Sequence, residues 1–218
     1  MRKKLITACL AIAAFAAFVV APSASAANFT ENGVTLKAGA SITGTAGETK
    51  FTAGSNTVIC STADMSGTVK VDENGTILGE IAAGNPVFTG TGTGADCTSE
   101  GLGPVKPTVN SKLCLHIPKG TDIGTVDGCK VKTIVEGVEK EVTEPITFTL
   151  FATNLGLECH YSISSLNAEI TTAPADAQVK VIPGQKVPRE SNFLCPLEGE
   201  LDMEFTLTTT DGTTLTFS

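Results

Sequence analysis

Glu158, His160 and Ser162 occupy alternate positions of one segment, and their types and spacing could do chemistry. A carboxylate, an imidazole and a hydroxyl on one face could supply a base and the acid that orients it, as hydrolysis requires. The catalytic candidates are therefore Glu158 and His160. The same three residues also suit the wet face of a strand, which has to be polar. The second histidine, His116, lies between Leu115 and Ile117 on the same strand face as Cys114. That is a structural position. The sequence has no Gly-x-Ser-x-Gly elbow, no His-Glu-x-x-His and no phosphate-binding glycine loop. Catalysis would need residues gathered from separate loops, so the reading leans away from an enzyme.

Metal chemistry is no better supplied. Asp72-Glu73-Asn74-Gly75 clusters oxygen ligands but lacks the alternating ligands and closing Glu of an EF-hand loop. A hairpin turn explains the same residues. No Cys-x-x-Cys or Cys-His pair has zinc spacing. No metal and no cofactor is expected.

The cysteines point to a different role. Arg2, Lys3 and Lys4 precede an apolar run from Leu5 to Ala21, and Ala24-Ser25-Ala26 follows with the small-x-small pattern of a cleavage site. Residues 1–26 are read as a cleavable signal peptide. Cys9 sits too early in the run to be a lipidation site and leaves with the signal. Six cysteines remain: Cys60, Cys97, Cys114, Cys129, Cys159 and Cys195. An even number in an exported chain argues for three disulfides. Six cysteines allow fifteen pairings. Sequential pairing is expected, because each bridge then closes a loop between neighbouring strands.

Loss of the signal leaves twelve basic residues against twenty-three acidic ones, a net charge of −11. A chain this acidic repels phosphate backbones and anionic lipid. Nucleic acid is not an expected partner, nor is a membrane after signal cleavage. The C-terminal Thr214-Leu215-Thr216-Phe217-Ser218 carries no apolar tail or sorting motif.

The elements that must position these residues are strands. Period-two alternation recurs after residue 27, and no stretch there holds a helical apolar period for three turns. Met65, Gly67, Val69 and Val71 alternate with Ser66, Thr68 and Lys70. Ile146, Phe148, Leu150 and Ala152 form another apolar face, as do Leu155, Leu157, Cys159, Tyr161 and Ile163, and then Leu201, Met203, Phe205 and Leu207. Turn chemistry and register agree at three hairpins. Asn32-Gly33 as a two-residue loop sets Phe29 opposite Leu36. Glu73-Asn74-Gly75 as a three-residue loop sets Val71 opposite Ile77 and Val69 opposite Gly79. Thr210-Asp211-Gly212 sets Leu207 opposite Leu215 and Phe205 opposite Phe217, with Gly212 at positive φ. Thr89 to Pro107 and Ala173 to Glu190 read as looser stretches, the second with a short strand at Val179 to Ile182. The expected fold is all-β: an antiparallel two-sheet β-sandwich built from hairpins and braced by three disulfides, in a single domain over residues 27–218.

Glu31-Asn32-Gly33-Val34, Ile42-Thr43-Gly44-Thr45, Val58-Ile59-Cys60, Ser66-Gly67-Thr68-Val69 and the ending from Cys195 to Phe217 carry a resemblance. On these residues the chain resembles uncharacterised exported β-rich proteins of actinobacteria. The resemblance implies an extracellular or cell-envelope location and transfers no catalytic residue. The expected function is therefore a secreted or envelope-associated, non-catalytic protein with a binding or structural role toward an extracellular or envelope ligand. The alternative is a secreted hydrolase acting on glycans, for which two carboxylates ~5–10 Å apart in a cleft would speak.

Overall fold

The structure is a computed structural model that describes residues 28–71, 77–91, 95–135, 137–172 and 174–218. The expected signal peptide with Cys9 and the loop Asp72-Glu73-Asn74-Gly75 lie outside the described residues.

β1 (Phe29–Glu31) and β2 (Val34–Thr35) form an N-terminal hairpin. Eight long passages follow. β3 (Ser41–Ala46) continues as β4 (Thr49–Ala53), and β5 (Asn56–Cys60) continues as β6 (Thr62–Val71). The third passage is β7 (Ile77–Ile81), β8 (Val87–Thr89) and β9 (Cys97–Ser99); the fourth is β10 (Gly103–Val109) and β11 (Leu113–Ile117). The fifth begins as β12 (Ile123–Gly128) and leaves the wall as a hairpin of β13 (Lys130–Val135) and β14 (Val138–Thr143). It resumes as β15 (Ile146–Ala152). The last three pair β16 (Leu157–Ile163) with β17 (Ser165–Ile170), β18 (Gln178–Val181) with β19 (Lys186–Ser191), and β20 (Glu198–Asp202) with β21 (Glu204–Thr209). β22 (Thr216–Phe217) ends the chain.

One part of each passage joins the closed ring β10-β15-β16-β19-β20-β4-β5-β9. The other joins β3-β21-β18-β17-β12-β11-β7-β6, which closes through β3–β6 and carries β8 on β6. In both rings every passage lies between its sequence neighbours, and the eighth closes on the first. The molecule is thus an up-and-down meander whose eight passages each contribute to two closed barrels in turn. The expected two-sheet sandwich is corrected: the all-β class and the three disulfides hold, but the sheets close. Closure pairs the first passage with the eighth, so neither ring ends in a terminal strand.

The disulfides are Cys60–Cys97, Cys114–Cys129 and Cys159–Cys195, the sequential pairing, with Cα separations of 4.5, 5.0 and 5.7 Å. Bridges of this kind are characteristic of extracellular proteins. Among the described residues no helix is long and apolar enough to cross a membrane.

Register at the turns is as expected in most respects. Asn32 and Gly33 have φ of 50° and 80°, as a type I′ turn requires, and Leu36 N–H donates to the Phe29 carbonyl. Val69 and Val71 lie opposite Gly79 and Ile77. Gly212 has φ of 83°, and Leu215 N–H donates to the Leu207 carbonyl. The expected Phe205–Phe217 pairing is overturned. Both edges of β21 are taken there, since Phe205 pairs with Ala46 on β3 and Val179 on β18. Phe217 turns away and pairs with Phe29, their rings 5.2 Å apart. β18 matches the short strand expected at Val179 to Ile182, while β9 and β10 within Thr89 to Pro107 and its flank, and β19 after β18, are gained. Leu155, expected on an apolar face, lies in the β15–β16 turn and is exposed.

Two apolar clusters fill the barrels. One centres on Phe51, Phe148 and Tyr161, whose ring centroids lie 5.0 to 5.3 Å apart. The other gathers Ile117, Ile170, Leu207, Leu215 and the Phe29–Phe217 pair. Met65, Phe88 and Val126 pack against both, so they mark the waist. Outward positions such as Thr52, Lys106, Glu158 and Lys186 are exposed and polar.

Tyr161 allows a direct check of this interior. Burial pushes its phenol above the ordinary value of 10.0, and the Arg189 charge pulls partly against that. The fold therefore favours the protonated phenol. This contribution is fully present below the ordinary value and is lost as pH rises through the higher folded one. The chain has one tyrosine and no tryptophan, so phenolate absorbance reads this residue alone. Its midpoint is expected above that of free tyrosine in the native protein and at the free value in concentrated urea. Equal midpoints in the two states would place the ring in water.

Candidate functional site: the cavity at the waist

The alternation that builds the strands also turns apolar side chains inward, and at the waist they fail to meet. A cavity of about 110 Å³ remains there. Phe51, Val58, Phe148 and Leu150 wall it from one barrel, and Leu115, Val179 and Phe205 from the other. The lining is almost wholly apolar. Met65 and Met203 both contribute, and they are the only methionines after Met1. Unbranched thioether chains fill irregular space and adjust to what occupies it. Gly44 makes room for one of them, since a Cβ there would lie 2.5 Å from Met65 Cε.

A single polar side-chain feature stands out. Thr49 lines the cavity, is 2 % exposed, and its Oγ1 has no hydrogen-bond partner among the described residues. A second such hydroxyl, Ser99 Oγ, belongs to β9 and is not part of this lining. An unpaired buried hydroxyl costs ~1–3 kcal/mol. A void of this size costs on the order of 2–3 kcal/mol at ~24 cal/mol per Å³. The larger of the two voids therefore lies at the waist.

The wall beside the cavity is also incomplete. β10 pairs with β9 only through Gly103 to Val105, and β8 pairs only with β6. Among the described residues no ladder joins β8 to the Lys106–Val109 part of β10. The Gly84 N–H to Val109 carbonyl bond, 2.9 Å, crosses just beyond it. Pro86 and Pro107 line the cavity at this seam and have no N–H to offer.

The sequence candidates lie elsewhere. Glu158 and His160 sit on the outer wall of β16, with Oε1 and Nε2 3.5 Å apart and both side chains open to water. His160 Nδ1 is 3.1 Å from Thr149 Oγ1. Ser162 shares their face, half-buried. None of the three lines the waist cavity. His116 Nε2 lies 3.0 Å from Asp127 Oδ1 across the β11–β12 ladder, which fits a structural role. Among the described residues no three His, Cys, Asp or Glu side chains group as metal ligands. The cavity residues were missed because apolar strand faces look alike in sequence. Two signals were available: Pro107 inside a strand, and methionines confined to Met65 and Met203.

The fold and cavity define an eight-passage, disulfide-braced β-barrel protein with an apolar internal chamber. No family model, curated protein or solved structure matches the chain.

Proposed function

We propose that the chain is an exported, non-catalytic binding protein of the extracellular space or cell envelope, holding a small apolar molecule at the barrel waist. The observation that carries this reading is the apolar cavity of about 110 Å³ enclosed between two packed clusters. Eight-stranded barrels have an interior that side chains either fill or share with one small ligand. An engineered apolar cavity of ~150 Å³ stays dry and takes up benzene. The export signal, the disulfides and the polar outer wall support an extracellular setting. The seam between β8 and β10 offers a way in. The hydrolase alternative rests on the Glu158–His160 pair, which has no chamber around it to exclude water from a reacting bond.

The test is titration of the oxidised mature protein with fluorobenzene, followed by fluorine NMR. One-site saturable binding is expected, displaced by toluene and abolished by Val126→Phe, which places a ring in the cavity. A signal that does not saturate, or that toluene leaves unchanged, overturns the reading.

A further inference from the structure

We propose that the β13–β14 hairpin is a self-association arm: the free edge of β13 pairs antiparallel, about a two-fold axis, with β13 of a second copy. The proposal is independent of the waist cavity. The two rings close, whereas β13 and β14 pair only with each other among the described residues. Such a ribbon has two free edges, and a lone two-stranded sheet has little stability in water. Val135 pairs with Val138 across a two-residue loop, with Gly137 at φ of 80°. That loop makes the closing pair hydrogen-bonded, and the alternation then runs back down the ladder. Val131 and Thr133 therefore direct their N–H and C=O groups at β14. Lys130, Lys132 and Ile134 direct theirs outward along one edge, and Glu139, Glu141 and Thr143 along the other. All six of these outward residues are exposed.

Charge chooses the edge and the register. Like charges directly opposite one another are destabilising in an antiparallel pair. Paired with itself at its middle, β14 would set Lys140 opposite Lys140 or Glu141 opposite Glu141. β13 centred on Lys132 fails in the same way. Centred on Thr133 it sets Thr133 opposite Thr133 and Lys132 opposite Ile134, twice over. Those Lys132–Ile134 pairs join residues whose backbone groups already point outward, so the ladder alternation is kept. Val131, Val138 and Val142 share one face of each hairpin. Opposite residues point to the same side, so the pairing sets these faces side by side in one four-stranded sheet. Thr133 stands midway between Cys129 and Gly137, so each tip comes level with the start of the other hairpin and the barrels lie at opposite ends. The two-fold contact closes at two copies. The outer edges left on β14 carry Glu139 and Glu141 and repel one another.

One short strand edge buries well under the ~1,200 Å² of a stable complex, so a weak, concentration-dependent dimer is expected. Sedimentation velocity of the oxidised mature protein, from about 10 μM to about 1 mM, reads it. The weight-average mass should rise from one copy toward two over that range. Thr133→Lys and Thr133→Glu each set like charges on the axis and should each abolish the rise. Mixed in equal amounts they should restore it, since lysine then faces glutamate. Lys132→Pro removes an outward N–H of β13, and Glu141→Pro the equivalent one of β14; neither removes a bond inside the hairpin. The first should weaken dimerisation about tenfold or more, and the second should leave it unchanged. The Thr133 exchange needs no proline and decides the matter if either proline variant loses the hairpin. A native protein that stays monomeric throughout overturns the proposal and leaves the edge to a strand of another protein. A dimer that survives Thr133→Lys, or that the charge mixture fails to restore, overturns it as well.

Discussion

Reduction of all three disulfides is expected to unfold the protein at 37 °C. The bridges span sequence separations of 37, 15 and 36 residues. Loop-closure entropy assigns ~3–4 kcal/mol to loops of these lengths, in a model that omits native strain. Together that is on the order of 10 kcal/mol, against a typical domain stability of about 5–15 kcal/mol. Position adds to the effect. Cys60–Cys97 ties the second passage to the third beside the interrupted wall, and Cys159–Cys195 ties β16 to the β19–β20 loop. Cys114–Cys129 closes the β11–β12 hairpin and so ties the start of β13 to β11. β14 is exposed along its whole length, and a lone hairpin has little stability of its own. Circular-dichroism melts with and without reductant decide the matter. A reduced chain that still melts cooperatively above 37 °C would show that barrel closure alone suffices. Of the single-bridge removals, Cys114→Ala with Cys129→Ala should cost least, because its loop is the shortest.

Phe51→Ala should cost ~3–5 kcal/mol, the usual range for deleting a buried phenyl ring. Phe51 is 5 % exposed and packs edge-on to Phe148 and Tyr161 with centroids 5.0 Å away in each case. It also stands between two voids. It lines the waist cavity and a smaller one of about 20 Å³ bounded by Tyr161 and Pro196. Deleting the ring joins the two. Gly199 leaves space for this ring, since a Cβ there would fall 2.1 Å from Phe51 Cζ. Nothing else at position 199 would fill the gap. Phe151→Ala, on the outer wall with 37 % of the residue exposed, is the control and should cost far less. Urea melts of both variants give the comparison. Equal costs would mean that the Phe51 ring is not central to the packing. The enlarged chamber should also admit naphthalene, which the native cavity is too small to hold.

Much of the local structure was legible in the residues. Alternation located several of the strands, glycine chemistry set the Asn32-Gly33 and Thr210-Asp211-Gly212 turns, and six cysteines implied three bridges. These features depend on short-range geometry: side chains alternate with a period of two, and only certain residues accept positive φ. The candidate site was not legible. Glu158 and His160 were chosen for their chemistry, yet alternation puts them on the outer wall, where a polar pair meets water.

What the sequence determined by itself was the all-β class, the presence of three disulfides, the Asn32-Gly33 and Thr210-Asp211-Gly212 turns and the alternation of several strands; the bridge pairing was one choice among fifteen until the fold brought the cysteines together. Only the tertiary structure decided that the sheets close and where the cavity lies. An alternating strand is the same in a sandwich and in a barrel, because both offer one dry face. The difference lies in pairings between residues far apart, such as Thr43 with Ser66 and Thr208 on its two sides. The waist hides in the same way. Buried positions run even through Ala46, then odd through Thr49, Phe51 and Ala53; they switch again at Ser61 and at Ser164. Each switch inserts or drops one residue and so exchanges the inner and outer faces. Thr49 faces the cavity for that reason, and its place there follows from how the passages join rather than from its own neighbours in the chain.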